Sequence, residues 1–235
     1  IELACTNTDR LGLAYNKLTM EQCKVLAEWI VTSNIRGLDL GFNDLKGKTS
    51  VFTDAVANKV QNVGEKNEMK YISLNSTNLS VEADTTPENN EVLRLLSVLC
   101  YSENLKFLDL SNNPKIFPHC IKTLTTSLPV YVNLIRLHLD YNDLDCASIV
   151  VLAESLPLCS KLHHLSLLGS KLNLASAKAL TEAVNKSNTL MTLDLEYNTV
   201  PESIKERMSL YTMRNIQNEL DNVQKTKRKA GLSLP

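Results

Sequence analysis

One template recurs seven times along this chain, and it limits the possible folds more than any other feature. It reads apolar, two free positions, apolar, one free, apolar, two free, Asn or a small polar residue, one free, apolar. The central pairs are Leu11 and Leu13, Leu38 and Leu40, Ile72 and Leu74, Leu108 and Leu110, Leu137 and Leu139, Leu165 and Leu167, and Leu193 and Leu195. Three residues before six of these pairs stand Ile35, Met69, Leu105, Leu134, Leu162 and Leu190, with Thr8 as the exception in the first unit. Three residues after each pair comes Asn16, Asn43, Thr77, Asn113, Asn142, Ser170 or Asn198. Self-similarity of this kind is the signature of a stacked repeat architecture, in which each unit buries its apolar face against its neighbours.

The alternation inside each template is that of a short strand with one buried face, because side chains two apart share a face. The following Asn enters a turn, where a buried amide can bond backbone groups that the turn leaves unpaired. Thr77 and Ser170 can replace it only in part, so an Asn ladder is expected to be weakest there. A helical pattern follows the strands. Residues 19–33, 145–157 and 173–186 each open on a capping-type residue and carry apolar pairs at helical spacing, such as Leu26 with Ile30, Leu152 with Leu156 and Leu180 with Val184.

Successive first leucines are 27, 34, 36, 29, 28 and 28 residues apart. With a helix in each unit, this period and these motifs resemble the ribonuclease-inhibitor-like subtype of leucine-rich repeats, over roughly residues 11–200. The resemblance implies an α/β solenoid, a horseshoe or arc with a parallel concave sheet and convex helices. It is specific for fold and nearly silent about activity. Residues 1–200 are read as the solenoid and 201–235 as a C-terminal helical cap with a basic tail. In the tail segment Ile204, Met208, Tyr211, Ile216, Leu220 and Val223 form one apolar helical stripe, suited to covering the last repeat or to meeting a partner helix. Two insertions interrupt the period, a surplus at 60–67 and an acidic, Pro-containing loop at 80–90. Ile1 and Leu3 look like a further strand pair but precede Leu11 by too few residues to close a repeat.

Composition adds exclusions. At 43% apolar and 22% charged the chain can bury a continuous core, and a formal net charge of −1 gives no general attraction to nucleic acid or membrane. No run of eighteen apolar residues exists. Six cysteines, at 5, 23, 100, 120, 146 and 159, are scattered without metal-ligand spacing. That scatter suggests free thiols in a reducing compartment, so a cytoplasmic or nuclear location is expected. Asn75, Asn78 and Asn185 head glycosylation sequons that matter only in a secreted protein.

The residues flanking the buried leucines point to the concave surface. The column before each pair runs Arg10, Gly37, Tyr71, Phe107, Arg136, His164 and Thr192, and the column within the pairs runs Gly12, Asp39, Ser73, Asp109, His138, Ser166 and Asp194. Asp140 and Glu196 extend a third. Tyr71, Phe107, Arg136 and His164, rimmed by Asp39, Asp109, His138 and Asp194, are therefore expected to form a partner-binding row, with the carboxylates favouring a partner that carries basic groups. Tyr15, Phe42, Tyr141 and Tyr197 beside the ladder position are expected to pack at the turns. The sequence has no Gly-rich phosphate loop, nucleophile–His grouping or metal cluster, so the reading is a non-enzymatic interaction module without cofactor or metal. Three other readings follow from related repeats. One is a Ran-type GTPase activator, for which Arg10, Arg36 and Arg136 would be the candidate arginines. The others are a protein phosphatase 1 regulator and an actin-filament-end cap of the tropomodulin kind.

Overall fold

A computed structural model describes residues 10–61 and 69–229, so the Ile1/Leu3 pair, Cys5, Thr8 and most of the surplus at 60–67 lie outside the described residues. Seven parallel strands form one sheet in chain order: β1 (Arg10–Gly12), β2 (Gly37–Asp39), β3 (Tyr71–Ser73), β4 (Phe107–Asp109), β5 (Arg136–His138), β6 (His164–Ser166) and β7 (Thr192–Asp194). Each is three residues long and centred on the first residue of its central apolar pair. The register pairs Arg10, Gly37, Tyr71, Phe107, Arg136, His164 and Thr192 across the sheet, which is the column expected from the repeat.

Helices α1 (Met20–Thr32), α2 (Thr49–Gln61), α3 (Glu91–Leu99), α4 (Ile121–Ser127), α5 (Cys146–Ser155) and α6 (Leu174–Lys186) return the chain between strands. Their starts follow local chemistry. Thr19 and Gln22 form a capping box on α1, Asp145 accepts from the Ser148 amide on α5, and Asn173 caps α6. In α4 and α5 the leucine that ends the helix is followed by proline, and both close in a 3₁₀ turn, Leu128–Val130 and Leu156–Leu158.

The core runs the length of the stack between sheet and helices. Unit five shows its composition: Leu134, Leu137, Leu139, Leu144, Ile149 and Leu152 are all buried. Fully burying one such side chain stabilises by about 1.5–3 kcal/mol, an upper estimate because unfolded chains are partly collapsed. One buried group is a cation. The Lys59 ammonium donates to the Ile30 and Ser33 carbonyls at 3.1 and 2.8 Å, tying α2 to the end of α1. Burial, assisted by the nearby Arg36 charge, holds its pKa below the ordinary 10.5.

The long helix α7 (Glu202–Lys229) leaves the repeat pattern and packs on α6 and β7. Met208, Thr212 and Asn215 are its buried residues. The Asn215 amide donates to the Ser187 and Leu190 carbonyls at 2.9 and 2.8 Å, while Arg214 reaches the Asn185 and Ser187 carbonyls. Two acceptors at the end of α6 are thus satisfied by the next helix. Beyond Asn215 the stripe is uncovered, with Ile216, Leu220 and Val223 exposed, and Leu210 and Met213 are exposed earlier in the helix.

Candidate interaction surface on the open strand face

Each strand ends in a turn held by its polar residue. Asn113 is fully buried; its Oδ1 accepts from the Thr77 and Leu79 amides at 3.2 and 3.1 Å, and its Nδ2 donates to the Leu74, Leu110 and Ser111 carbonyls. Asn43 and Asn198 repeat the pattern, each bonding its own unit and the one before. Ser170 reaches the preceding unit through one bond, to the Leu139 carbonyl. Thr77 donates within its own unit, to the Leu74 carbonyl at 2.6 Å. The smaller side chains therefore make the thinner rungs, as their reach dictates.

The residue just before the ladder position has positive φ in all seven units: Tyr15, Phe42, Ser76, Asn112, Tyr141, Gly169 and Tyr197. Such a conformation costs a non-glycine residue on the order of 1–2 kcal/mol, held here by the turn bonds. It also turns the side chain outward. Tyr15, Phe42, Tyr141 and Tyr197, expected to pack at the turns, are exposed instead. They pair laterally, Tyr15 stacking on Phe42 at 4.1 Å and Tyr141 lying 6.4 Å from Tyr197. The pairing across unit six depends on Gly169, where a Cβ would meet the Tyr141 ring at 2.6 Å.

On the open face the expected row is continuous but takes a bent course. The Arg10 guanidinium lies over the Tyr71 ring, 3.5 Å from its centroid. Gly37 makes this possible, because a Cβ there would come within 3.0 Å of the Arg10 side chain. The Tyr71 ring stacks on Phe107 at 4.3 Å, nearly parallel. From Phe107 the ring contacts step to the other column, to His138 edge-on at 4.9 Å, and then to His164 at 5.0 Å. His164 ends the row against Thr192 and Asp194, with Nδ1 2.6 Å from the Thr192 hydroxyl and Nε2 3.6 Å from Asp194 Oδ2. Burial lowers the His164 pKa, partly opposed by Asp194. Tyr71 and Phe107 are half-buried, and Arg136 is exposed beside the row. His138 Nε2 is buried with no hydrogen-bond partner among the described residues.

The acidic column needs a correction. Asp109, expected on the solvent rim, is buried; its Oδ1 accepts from the Ser111 amide at 2.9 Å and its Oδ2 from the Ser73 hydroxyl at 3.2 Å. Asp39 accepts from the Gly41 amide at 3.0 Å and lies 3.9 Å from Arg10. Asp140 takes the Leu168 amide and the Ser166 hydroxyl, and Asp194 faces His164. A carboxylate two residues before a turn amide is well placed to close that turn, and this use consumes most of the column. Asp109 is thus taken up by the fold, while Asp39 and Asp194 keep part of their side chains exposed at the rim.

Of the three arginines considered for a GTPase activator, Arg10 is engaged by Tyr71 and Asp39, and the Arg36 Nε is buried without a hydrogen-bond partner among the described residues. Arg136 is exposed and has no ion pair among the described residues. Among the described residues no group of three or more His, Cys, Asp or Glu could hold a metal ion, and no helix is long and apolar enough to cross a membrane.

The chain is 62% identical over 223 residues to MAP-homologous protein 1 of Saccharomyces cerevisiae, an alignment covering 95% of this chain and 16% of that protein. HMG2-induced ER-remodeling protein 1 of the same yeast is 28% identical over 244 residues, 92% of this chain and 19% of that protein. The chain therefore spans less than a fifth of the length of either relative. Among solved structures, actin-binding site 2 of leiomodin-1 superposes with a TM-score of 0.58 at 16% identity, covering 76% of this chain and 95% of that one. The tropomodulin C-terminal domain of Caenorhabditis elegans gives 0.59 at 14% identity, covering 73% and 98%. These two likenesses establish the leucine-rich-repeat fold. Because the MHP1/HER1/GIP3 LRR domain family matches residues 1–170, the chain belongs to that family of leucine-rich-repeat domains.

Proposed function

We propose that this domain is a non-enzymatic protein-interaction module, the targeting or scaffolding part of a larger protein, which takes its partner on the open strand face. One observation carries the reading: Arg10, Tyr71, Phe107, His138 and His164 form an unbroken chain of ring and cation contacts on the face opposite the helices. Isolated exposed aromatics need no explanation, whereas a contiguous row of Tyr, Phe, His and Arg is the composition of binding hot spots. The row is also pre-ordered. Rings stacked against one another lose little further freedom on binding, which lowers the entropic cost of association. The scattered cysteines favour a cytoplasmic or nuclear setting for this role.

The test is capture of partners by the wild-type chain beside the Tyr71→Ala/Phe107→Ala variant. Proteins retained by the first and lost by the second support the reading, with Phe107→Ala alone weakening a purified partner by about 2 kcal/mol or more. Retention of every partner by the double variant, with loss on deleting residues 80–90 or α7, would move the site off the strand face.

A further inference from the structure

The charges along the open face are not equally available. At the C-terminal ends of the strands Asp39, Asp109, Asp140 and Asp194 are bonded to turn amides, hydroxyls, Arg10 or His164. At the N-terminal ends the balance is reversed. Lys106 and Arg136 are exposed, and neither forms an ion pair among the described residues, although cations elsewhere in the molecule do. Both line a shallow depression of about 420 Å³ whose other walls are Tyr71, Phe107 and Ile135. Lys70 stands in the same register position as Lys106 one strand away, since the Lys106 amide bonds the Lys70 carbonyl at 2.8 Å.

We infer that this depression is the docking point for an acidic peptide segment of the partner, one that places a carboxylate between Lys106 and Arg136 and an apolar or aromatic side chain against Tyr71 and Phe107. The inference deepens the strand-face reading and rests on it. Sign decides the occupant. Asp39, Asp109 and Asp140 already accept hydrogen bonds in the fold, and Asp39 and Asp194 face Arg10 and His164, so much of this negative charge is answered within the molecule. Lys106 and Arg136 can meet a carboxylate without giving up an ion pair, and Arg136 can offer it a two-pronged donor. The half-buried ring stack beside them lowers the local dielectric, which strengthens such a contact relative to open water. An extended acidic segment also fits a contact row that runs across the strands, from Arg10 on β1 to His164 on β6, rather than into a closed cavity.

The experiment uses the full chain and a fluorescein-labelled Glu-rich peptide carrying one Tyr, with a Lys-rich peptide of the same length as its counterpart, followed by anisotropy at low and at physiological ionic strength. Lys106→Glu/Arg136→Glu is compared with Lys178→Glu, a reversal at an exposed position on α6. The expected result is binding of the acidic peptide that weakens about tenfold or more in the double variant and stays within about twofold in the control. Three results would overturn the inference: no acidic-peptide binding, preference for the Lys-rich peptide, or equal weakening by the control. Circular dichroism checks that each variant is folded, and Lys106→Gln/Arg136→Gln serves if the reversals do not fold. The two readings fail separately. A partner lost on Phe107→Ala but indifferent to charge reversal leaves the strand face as the site and removes the acidic segment; indifference to both removes the two together.

Discussion

The two ends of each short strand use polar residues for opposite purposes. At the C-terminal end Asn43, Asn113, Asn142 and Asn198 and the carboxylates of Asp39, Asp109 and Asp140 are spent on backbone amides and carbonyls. At the N-terminal end Lys106 and Arg136 face solvent with no ion-pair partner among the described residues. The difference follows from topology. Every strand must turn sharply into its helix, leaving orphan backbone groups in the interior, whereas it is entered from an outer connection that water can solvate. A polar residue at the exit is therefore a fold residue, whereas Lys106 and Arg136 at the entrance of β4 and β5 are left to solvent.

The largest effect is expected where the exit is most buried. Asn113→Ala removes the acceptor for the Thr77 and Leu79 amides and the donor to three carbonyls, all in the interior. At about 1–3 kcal/mol for each group left without a partner, and with partial relaxation, a loss of about 3–5 kcal/mol is expected in urea unfolding. A loss below about 1 kcal/mol would mean that backbone bonds alone hold these turns.

Lys59 tests the rule from the other side, as a cation that is committed to the fold. Lys59→Ala leaves the Ile30 and Ser33 carbonyls without their donor and opens space under α2, so about 2–4 kcal/mol should be lost. The pH dependence has a definite sign. Because the folded pKa is lowered, the unfolded chain holds more protons between that value and 10.5, and stability from this group rises with pH across the window. The wild type should therefore gain on Lys59→Ala as pH rises toward 10.5 and fall back as pH drops through the folded value. A difference between the two that is flat with pH would contradict the buried, desolvated ammonium.

Asp109→Ala should cost less, about 1–3 kcal/mol, because two bonds are lost, those from the Ser111 amide and the Ser73 hydroxyl. An Asp109→Ala variant that keeps wild-type stability but loses affinity for the partner would return this residue to the binding rim and break the contrast between strand ends.

Much of this was readable before any coordinates. The strand register is legible because apolar residues two apart must share a face, so Arg10, Gly37, Tyr71, Phe107, Arg136 and His164 fall into one column from spacing alone. The role of Asp109 is not, since an Asp on the outward face and an Asp that closes a turn have the same sequence position. The direction of Tyr15, Phe42, Tyr141 and Tyr197 depends on a positive φ, which no side-chain periodicity encodes. Nor does spacing show that the ring contacts leave the first column at Phe107 for His138, or that the absent side chain of Gly37 lets Arg10 cross a whole unit to Tyr71. The glycine in the column was the one available signal.

The smallest effect is the sharpest test of the contrast. Lys106→Ala/Arg136→Ala should change stability by no more than about 0.5 kcal/mol, because surface side chains without partners contribute little to folding. The sign is also expected. Two exposed cations on neighbouring strands with no carboxylate paired to them repel one another, so neutralising them should be neutral or slightly stabilising at low ionic strength. The difference should vanish as salt shortens the screening length to about 3 Å at 1 M. Thermal unfolding of both chains across a salt series reads this directly. A loss above about 1 kcal/mol that salt does not remove would show that Lys106 or Arg136 serves the fold as Asn113 does, and the entrance of the strands would no longer differ in kind from the exit.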